Sequence, residues 1–163
     1  MTSVSNDETA EQRRRRRAGA DIKRALRELN NQVALLNNQV GSRVDLRPVD
    51  LDCLDVIALH GPLSPSELAH RAGVHPATVT GILDRLEKNN WVVREREGAD
   101  RRAVLVRALP DRARELFTLY GGMNAAMDDL FDDYSEEQLA TLADFLQRAS
   151  AAGLVETAAL AEG

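Results

Sequence analysis

The chain has 163 residues, of which 44% are hydrophobic but only 4% aromatic, so a mostly helical fold with an aliphatic core is expected. The net charge is −5, yet the acidity is concentrated in the last third, which leaves the middle of the chain accessible to a polyanion. No apolar run approaches the roughly 20 residues of a membrane span, no signal peptide is apparent, and the single cysteine excludes an internal disulfide. These features predict a cytoplasmic protein.

The N-terminal segment 1–17 is predicted to be a disordered basic arm. It ends in five consecutive arginines at 13–17, a block that either contacts nucleic acid or remains solvated. The segment 18–46 is then predicted to form a dimerisation helix that ends at Gly41. Its apolar residues are spaced alternately by four and three: Ile22, Leu26, Leu29, Val33, Leu36 and Val40. Such a seam needs a partner helix in the same chain or in another.

A second helix is predicted to begin at Pro48 and to end before Gly61. Cys53 lies among its apolar positions, which indicates a small buried hydrophobe, with a redox sensor as the alternative. The spacings of His60, His70 and Cys53 do not match the close pairs of a zinc site, so no metal is predicted.

Two short helices follow. Ser64 and Glu67 have the spacing of a capping box, and Gly73 closes the helix that they begin. Pro76 starts the next helix, which extends to about Asn89. Two helices joined by a tight turn that contains glycine form a helix-turn-helix pattern.

A hairpin is predicted after this motif, with strands at 91–96 and 103–107 around a charged loop at 97–102. The fold class is therefore mostly α with a small β-hairpin wing: a winged helix-turn-helix at 47–109. The segment 110–163 is predicted to supply C-terminal dimerisation helices, which join the N-terminal helix in a helical dimerisation region. One helix is predicted to begin at Pro110, with apolar residues that recur by three and four from Leu116 to Tyr134. Ser135 and Gln138 have the spacing of a second capping box, which begins the last helix.

The outer face of the helix that begins at Pro76 favours DNA, because small residues near its start let the backbone enter a major groove about 12 Å wide. Threonine hydroxyls and helix N-terminal amides suit phosphate oxygens. Arg85 is one turn further and can reach a phosphate or a guanine edge. The predicted DNA-binding residues are Ser64, Ser66, His75, Pro76, Ala77, Thr78, Thr80, Gly81, Arg85, Arg96, Asp100, Arg101 and Arg102.

The roles within this set differ. Arg101 and Arg102 at the wing tip suit a narrow minor groove, and Asp100 beside them is interpreted as an ion-pair brace. Ser64 is first of all a helix-start residue, and His75 is interpreted as an N-cap near a backbone phosphate.

Several of these motifs together resemble the multiple-antibiotic-resistance regulator (MarR) family, over residues 22–146. They are Leu46-Arg47-Pro48, Leu68-Ala69, Gly73-Val74, Pro76-Ala77-Thr78-Val79-Thr80, Leu83-Asp84-Arg85-Leu86-Glu87 and Asp100-Arg101-Arg102. The resemblance implies a homodimeric winged-helix transcription factor, usually a repressor, on a pseudo-palindromic operator. It also implies that Arg102 enters the minor groove with Asp100 bracing the wing. Many family members release DNA when a small-molecule effector binds or when a cysteine near the first helix is oxidised, and this chain has no cysteine there. No cofactor is expected.

The chain departs from the family pattern at Gly81, where a bulky or basic residue is common, and at Asn90, where glycine is usual. An alternative function is a winged-helix protein–protein interaction module, but the exposed arginines of the helix and wing favour DNA. No nucleophile–base pair or glycine-rich phosphate loop appears, so an enzyme is not expected.

Overall fold

The computed structural model describes residues 3–96 and 104–162, with side chains described for 10–96 and 104–160. Within these ranges the elements are α1 (Ser3–Arg43), α2 (Pro48–His60), α3 (Pro65–Ala72), α4 (Pro76–Lys88), β1 (Val92–Arg96), β2 (Val104–Ala108), α5 (Pro110–Leu119), α6 (Gly121–Phe131) and α7 (Glu136–Glu162). The predicted fold class, mostly α with a two-stranded antiparallel hairpin, is confirmed. None of the helices in these ranges has the length and apolarity needed to cross a membrane.

Local hydrogen bonds set several helix ends where the sequence placed them. The Ser64 hydroxyl accepts from the Glu67 amide (3.3 Å), and the Glu67 carboxylate accepts from the Ser64 amide (3.2 Å). The same exchange joins Ser135 and Gln138 at 3.3 and 2.9 Å. Gly73 closes α3 with φ 63°, a left-handed conformation that glycine adopts without steric cost. Both predicted capping boxes are confirmed.

Helix α1 differs from its prediction at both ends. The segment 1–17 was expected to be disordered, but helix covers Ser3 onward, so the arginine block 13–17 lies on α1. The reason is that no proline interrupts this stretch and its Ala, Arg, Glu and Gln residues propagate a helix well. Gly41 does not end the helix, which continues to Arg43. A Cβ at Gly41 would lie 2.9 Å from the Leu46 carbonyl oxygen, so this glycine permits close packing of the following turn.

The core lies where α2, α3 and α4 pack together beneath the hairpin. Its fully buried side chains are Leu51, Cys53, Ile57, Leu68, Val79, Ile82, Leu83, Leu86, Trp91, Val92 and Val106. The C-terminal end of α1 joins this core through buried Val40 and half-buried Leu36. One face of helix α4 therefore packs against the core, and its opposite face is exposed.

The hairpin is held to the rest of the fold by backbone and side chains. Val92 pairs with Ala108 at its base, and Arg96 pairs with Val104 at the last described position of β1. Leu63 exchanges two backbone hydrogen bonds with Val106, at 3.1 and 2.8 Å. The base of the wing is consequently fixed independently of its tip.

The helices after the hairpin also differ in part from the sequence pattern. A single helix was expected through Leu116 to Tyr134, but α5 ends and α6 begins at Tyr120, before the pair Gly121-Gly122. Glycine weakens a helix interior, which explains the break. Helix α7 continues through Gly153 to Glu162.

Large apolar side chains remain exposed on α1, α6 and α7. They include Ile22, Leu29, Val33, Leu35, Leu130, Phe131, Leu142, Phe145, Leu146, Leu154 and Val155. Ile22, Leu29 and Val33 on α1 recur at helical spacing, as do Leu142, Phe145 and Leu146 on α7, so each helix has an exposed apolar stripe of the kind that marks an interaction surface.

Candidate nucleic-acid interface

The first two turns of α4 present a narrow surface of small residues to solvent. Ala77, Thr78, Thr80 and Gly81 are exposed, whereas Val79 between them is buried. This alternation follows from the helical period, since one face of α4 is used for the core. The four small residues that the sequence analysis predicted to contact DNA therefore lie together on one exposed surface of α4.

The segment before α4 provides the cap that was predicted. The Nδ1 atom of His75 accepts a hydrogen bond from the Ala77 amide at 3.2 Å, and Pro76 is the first helical residue. At the start of α3, Ser66 is exposed, whereas Ser64 is half-buried and its hydroxyl already participates in the capping box. Ser66 is thus better placed than Ser64 to meet a phosphate.

Arg85 has a structural partner that the sequence did not reveal. Its Nε donates to Asp50 Oδ2 at 2.9 Å, and its Nη2 donates to Asp50 Oδ1 at 2.5 Å. The side chain of Asp50 is 3% exposed and that of Arg85 is 35% exposed. Because a buried carboxylate needs a charged partner, this bidentate pair ties α4 to α2. A base or phosphate contact was predicted for Arg85, but two of its five guanidinium N–H donors are committed to Asp50 within the protein.

The thiol of Cys53 lies close to this pair. Cys53 is completely buried. Burial and the nearby charges of Asp50 and Asp52 raise the pKa of the Cys53 thiol to about 11, while Arg85 opposes the shift. A protonated, inaccessible thiol behaves as a small hydrophobe, as the first interpretation of this residue proposed.

Arg94 on β1 joins the strand to α4 through contacts that the sequence reasoning missed. Its guanidinium donates to Glu87 Oε2 (2.8 Å), to Asp84 Oδ1 (2.7 Å) and to the Thr80 carbonyl oxygen (3.4 Å). Its backbone amide donates to Glu87 Oε1 at 3.3 Å. The sequence offered a partial signal, because Asp84 and Glu87 belong to the motif Leu83–Glu87, but it does not show that the following strand meets them.

Of the other predicted DNA-binding residues of the wing, the structure describes Arg96. Arg96 is exposed, and it lies on the same side of β1 as Arg94 because alternate residues of a strand share a face. Asp100, Arg101 and Arg102 lie outside the described residues.

A small cleft lies where the winged helix meets α5. It has a volume of about 170 Å³ and lies between α2, β2 and α5, lined by Leu54, Asp55, Ala58, Ala108, Ala113, Leu116, Phe117 and Tyr120. The Tyr120 hydroxyl donates to Asn37 Oδ1 of α1 at 2.8 Å. The cleft thus adjoins both the winged helix and the long helices.

Asp55 in this cleft is expected to have an unusually high pKa for a carboxyl group. Although Asp55 as a whole is exposed, partial burial of its carboxyl beside the cleft, and secondarily the charge of Asp52, raises the pKa of Asp55 from 3.8 to about 6. A carboxyl whose pKa is raised by folding favours the folded state at low pH, and that contribution is lost as the pH rises from about 4 to about 6. A ¹³C NMR titration should give a midpoint near 6 for Asp55, and Asp52→Asn should lower that midpoint. A midpoint near 4 in the wild type would contradict the burial of this carboxyl.

In the parts of the chain that the structure describes, no three His, Cys, Asp or Glu side chains are grouped so as to hold a metal ion. The charged residues identified above are engaged in ion pairs or exposed to solvent.

Comparisons with known proteins identify the family of this chain. The MarR family model matches residues 46–104. The chain is 30% identical to the HTH-type transcriptional regulator YcgE of Bacillus subtilis over 124 residues, which are 76% of this chain and 80% of that protein. The chain belongs to the MarR family. It is also 27% identical to the HTH-type transcriptional repressor MdtR of Bacillus subtilis, over 74% of this chain and 77% of that one.

A solved structure shows the same fold. The transcriptional regulator Tm0710 of Thermotoga maritima aligns with a TM-score of 0.59 and 26% identity, over 82% of this chain and 94% of that one. As a MarR-family member, the chain is a DNA-binding transcriptional regulator and not an enzyme. Helix α4 occupies the position of the second, or recognition, helix of a helix-turn-helix.

Proposed function

We propose that this regulator binds a pseudo-palindromic operator as a homodimer and represses transcription until a small ligand relieves it. The exposed surface of α4 carries the proposal, because its small residues allow the helix backbone to approach the floor of a major groove. In this proposal Ala77, Thr78, Thr80 and Gly81 face the duplex, and Arg102 enters the adjacent minor groove. A repressor named among the relatives, MdtR, supports the direction of regulation.

Dimerisation is supported by the uncovered apolar faces of the long helices. Ile22 and Leu29 on α1, and Leu142 and Leu146 on α7, are each 42% exposed or more. Burying these side chains against a second copy removes apolar area from water, at about 25 cal/mol per Å². A two-fold dimer also places two recognition helices on one face, which fits a palindromic site.

Ligand relief is supported by the position of the cleft that contains Asp55 and Tyr120. A ligand in this cleft contacts α2, β2 and α5 at once, and so acts on the junction between the winged helix and the C-terminal helices. Its apolar lining with a carboxyl and a phenol suits a small aromatic molecule with a polar group.

Selection of bound duplexes from a random library tests this function directly. The expected result is a palindrome whose half-site centres are about 10 bp apart. The affinity should fall steeply with salt, since phosphate contacts release counterions. Enrichment of no sequence, together with binding that is insensitive to salt, would favour the protein–protein interaction module instead.

Arg102→Ala is expected to weaken binding to the selected operator by about 1–3 kcal/mol, because an arginine in a narrow minor groove meets enhanced negative potential. Fluorescence anisotropy at fixed salt would measure the loss. Arg114→Ala is the matched control, since Arg114 on α5 is 79% exposed and its removal changes the net charge equally. Equal losses for the two variants would refute the groove contact.

A further inference from the structure

We propose that Arg94 is a positioning residue that couples the recognition helix to the wing, so that the two elements engage the duplex as one unit. The inference rests on the proposed function, in which α4 and the wing tip contact adjacent grooves. Arg94 need not contact DNA itself. It acts by fixing the direction of β1 relative to α4.

The contacts of Arg94 reach across two turns of α4. Its guanidinium binds Thr80 at one end of this stretch and Glu87 at the other, with Asp84 between them. The Glu87 carboxylate also accepts from the Arg94 amide, so both the backbone and the side chain of the strand are held. Because these three acceptors are spaced along α4, they resist rotation of β1 relative to the helix. A single hydrogen bond would allow that rotation.

The environment of Arg94 favours strong bonds. Its side chain is only 27% exposed, which is less than the other paired arginine of the hairpin, Arg107, at 47%. Partial burial limits competition from water and strengthens charged hydrogen bonds. The pair of Arg107 with Glu95 stays within the hairpin and does not reach α4.

Arginine suits this role because of its shape. A planar guanidinium presents five donors in fixed directions, whereas lysine presents one compact ammonium group and glutamine carries no charge. The Thr80 carbonyl that Arg94 contacts belongs to a residue of the DNA-facing surface. The ion pairs thus link the strand that leads to the wing tip with the helix residues that face the duplex.

Folding of the hairpin does not depend on Arg94. The base of the wing is held by the bonds between Leu63 and Val106 and by the burial of Trp91 and Val92. Loss of Arg94 is therefore expected to leave the hairpin folded but less restrained towards its tip.

A double-mutant cycle on operator affinity tests the coupling. In the wild type, Arg102→Ala should weaken binding about 5- to 150-fold. In an Arg94→Gln background the same change should weaken binding by about threefold or less, because the tip is no longer directed into its groove. In an Arg107→Gln background, which removes the other ion pair of the hairpin, the wild-type penalty should persist.

All variants are compared at a temperature where circular dichroism shows each to be folded. Should Arg94→Gln not fold, Arg94→Lys, which keeps the charge but loses the spread of donors, takes its place and should show an intermediate penalty. An Arg102 penalty that is the same in every background would overturn the coupling and leave the proposed function intact. An Arg102 penalty absent even from the wild type would overturn both the wing contact and the coupling.

Discussion

The variant Leu86→Ala is expected to lose about 2–5 kcal/mol of the free energy of unfolding, measured by urea denaturation at a fixed protein concentration. Leu86 is fully buried on the inner face of α4, so its truncation leaves a cavity beneath the recognition helix. The surrounding core of α2, α3 and the hairpin cannot collapse fully into that space, since close-packed interiors relax only in part. Operator affinity should fall as well, because the cavity weakens the packing that holds α4 in place against the core.

Leu59→Ala is the matched control for this experiment. Leu59→Ala removes the same atoms from a side chain on α2, but the Leu59 side chain is 79% exposed. Its truncation should alter the free energy of unfolding by less than about 0.5 kcal/mol. If the two variants had equal stability, the assignment of the inner face of α4 would be wrong.

The variant Leu146→Asp is expected to dissociate the proposed dimer and to weaken operator binding. Leu146 is 49% exposed in the single chain, on the apolar face of α7. A carboxylate there would be buried without a partner in the dimer, which is strongly unfavourable. A monomer engages one half-site only and forfeits the gain of bivalent binding, about 10²–10⁴-fold. Light scattering and anisotropy would report the two effects separately.

Gln147→Asp adds the same charge one position along α7, on the side away from Leu142 and Leu146. It should leave both the mass of the protein in solution and its operator affinity near those of the wild type. A dimer that persists in Leu146→Asp would reject α7 as part of the interface.

Family membership gives the two helices of the DNA-binding motif a common function, but this chain departs from the family pattern at Gly81, where a bulky or basic residue is common. A Cβ at Gly81 would lie 3.6 Å from Arg85 Nη1, which is an ordinary van der Waals contact. The space around the guanidinium that holds Asp50 therefore does not require glycine at this position. The basic side chain beside Gly81 is that of Arg85, one turn further along α4.

The sequence alone determined the features that depend on neighbours along the chain. Capping at Ser64 and Ser135, the left-handed turn at Gly73 and the strand on each side of the wing follow from interactions over a few residues, so local patterns were sufficient to predict them. The disordered arm was a local prediction that failed, because residues of good helix propensity continue α1 into a segment with no apolar pattern of its own.

Only the tertiary structure decided the partners of the charged residues. Arg85 has the sequence context of a DNA-reading side chain, yet Asp50 lies 35 residues before it and meets it only because α2 packs across α4. Arg94 reaches Asp84 and Glu87 only because the hairpin folds back onto the recognition helix. Ion pairs of this kind depend on the angle and distance between packed elements, and these are set by the shape of the whole core.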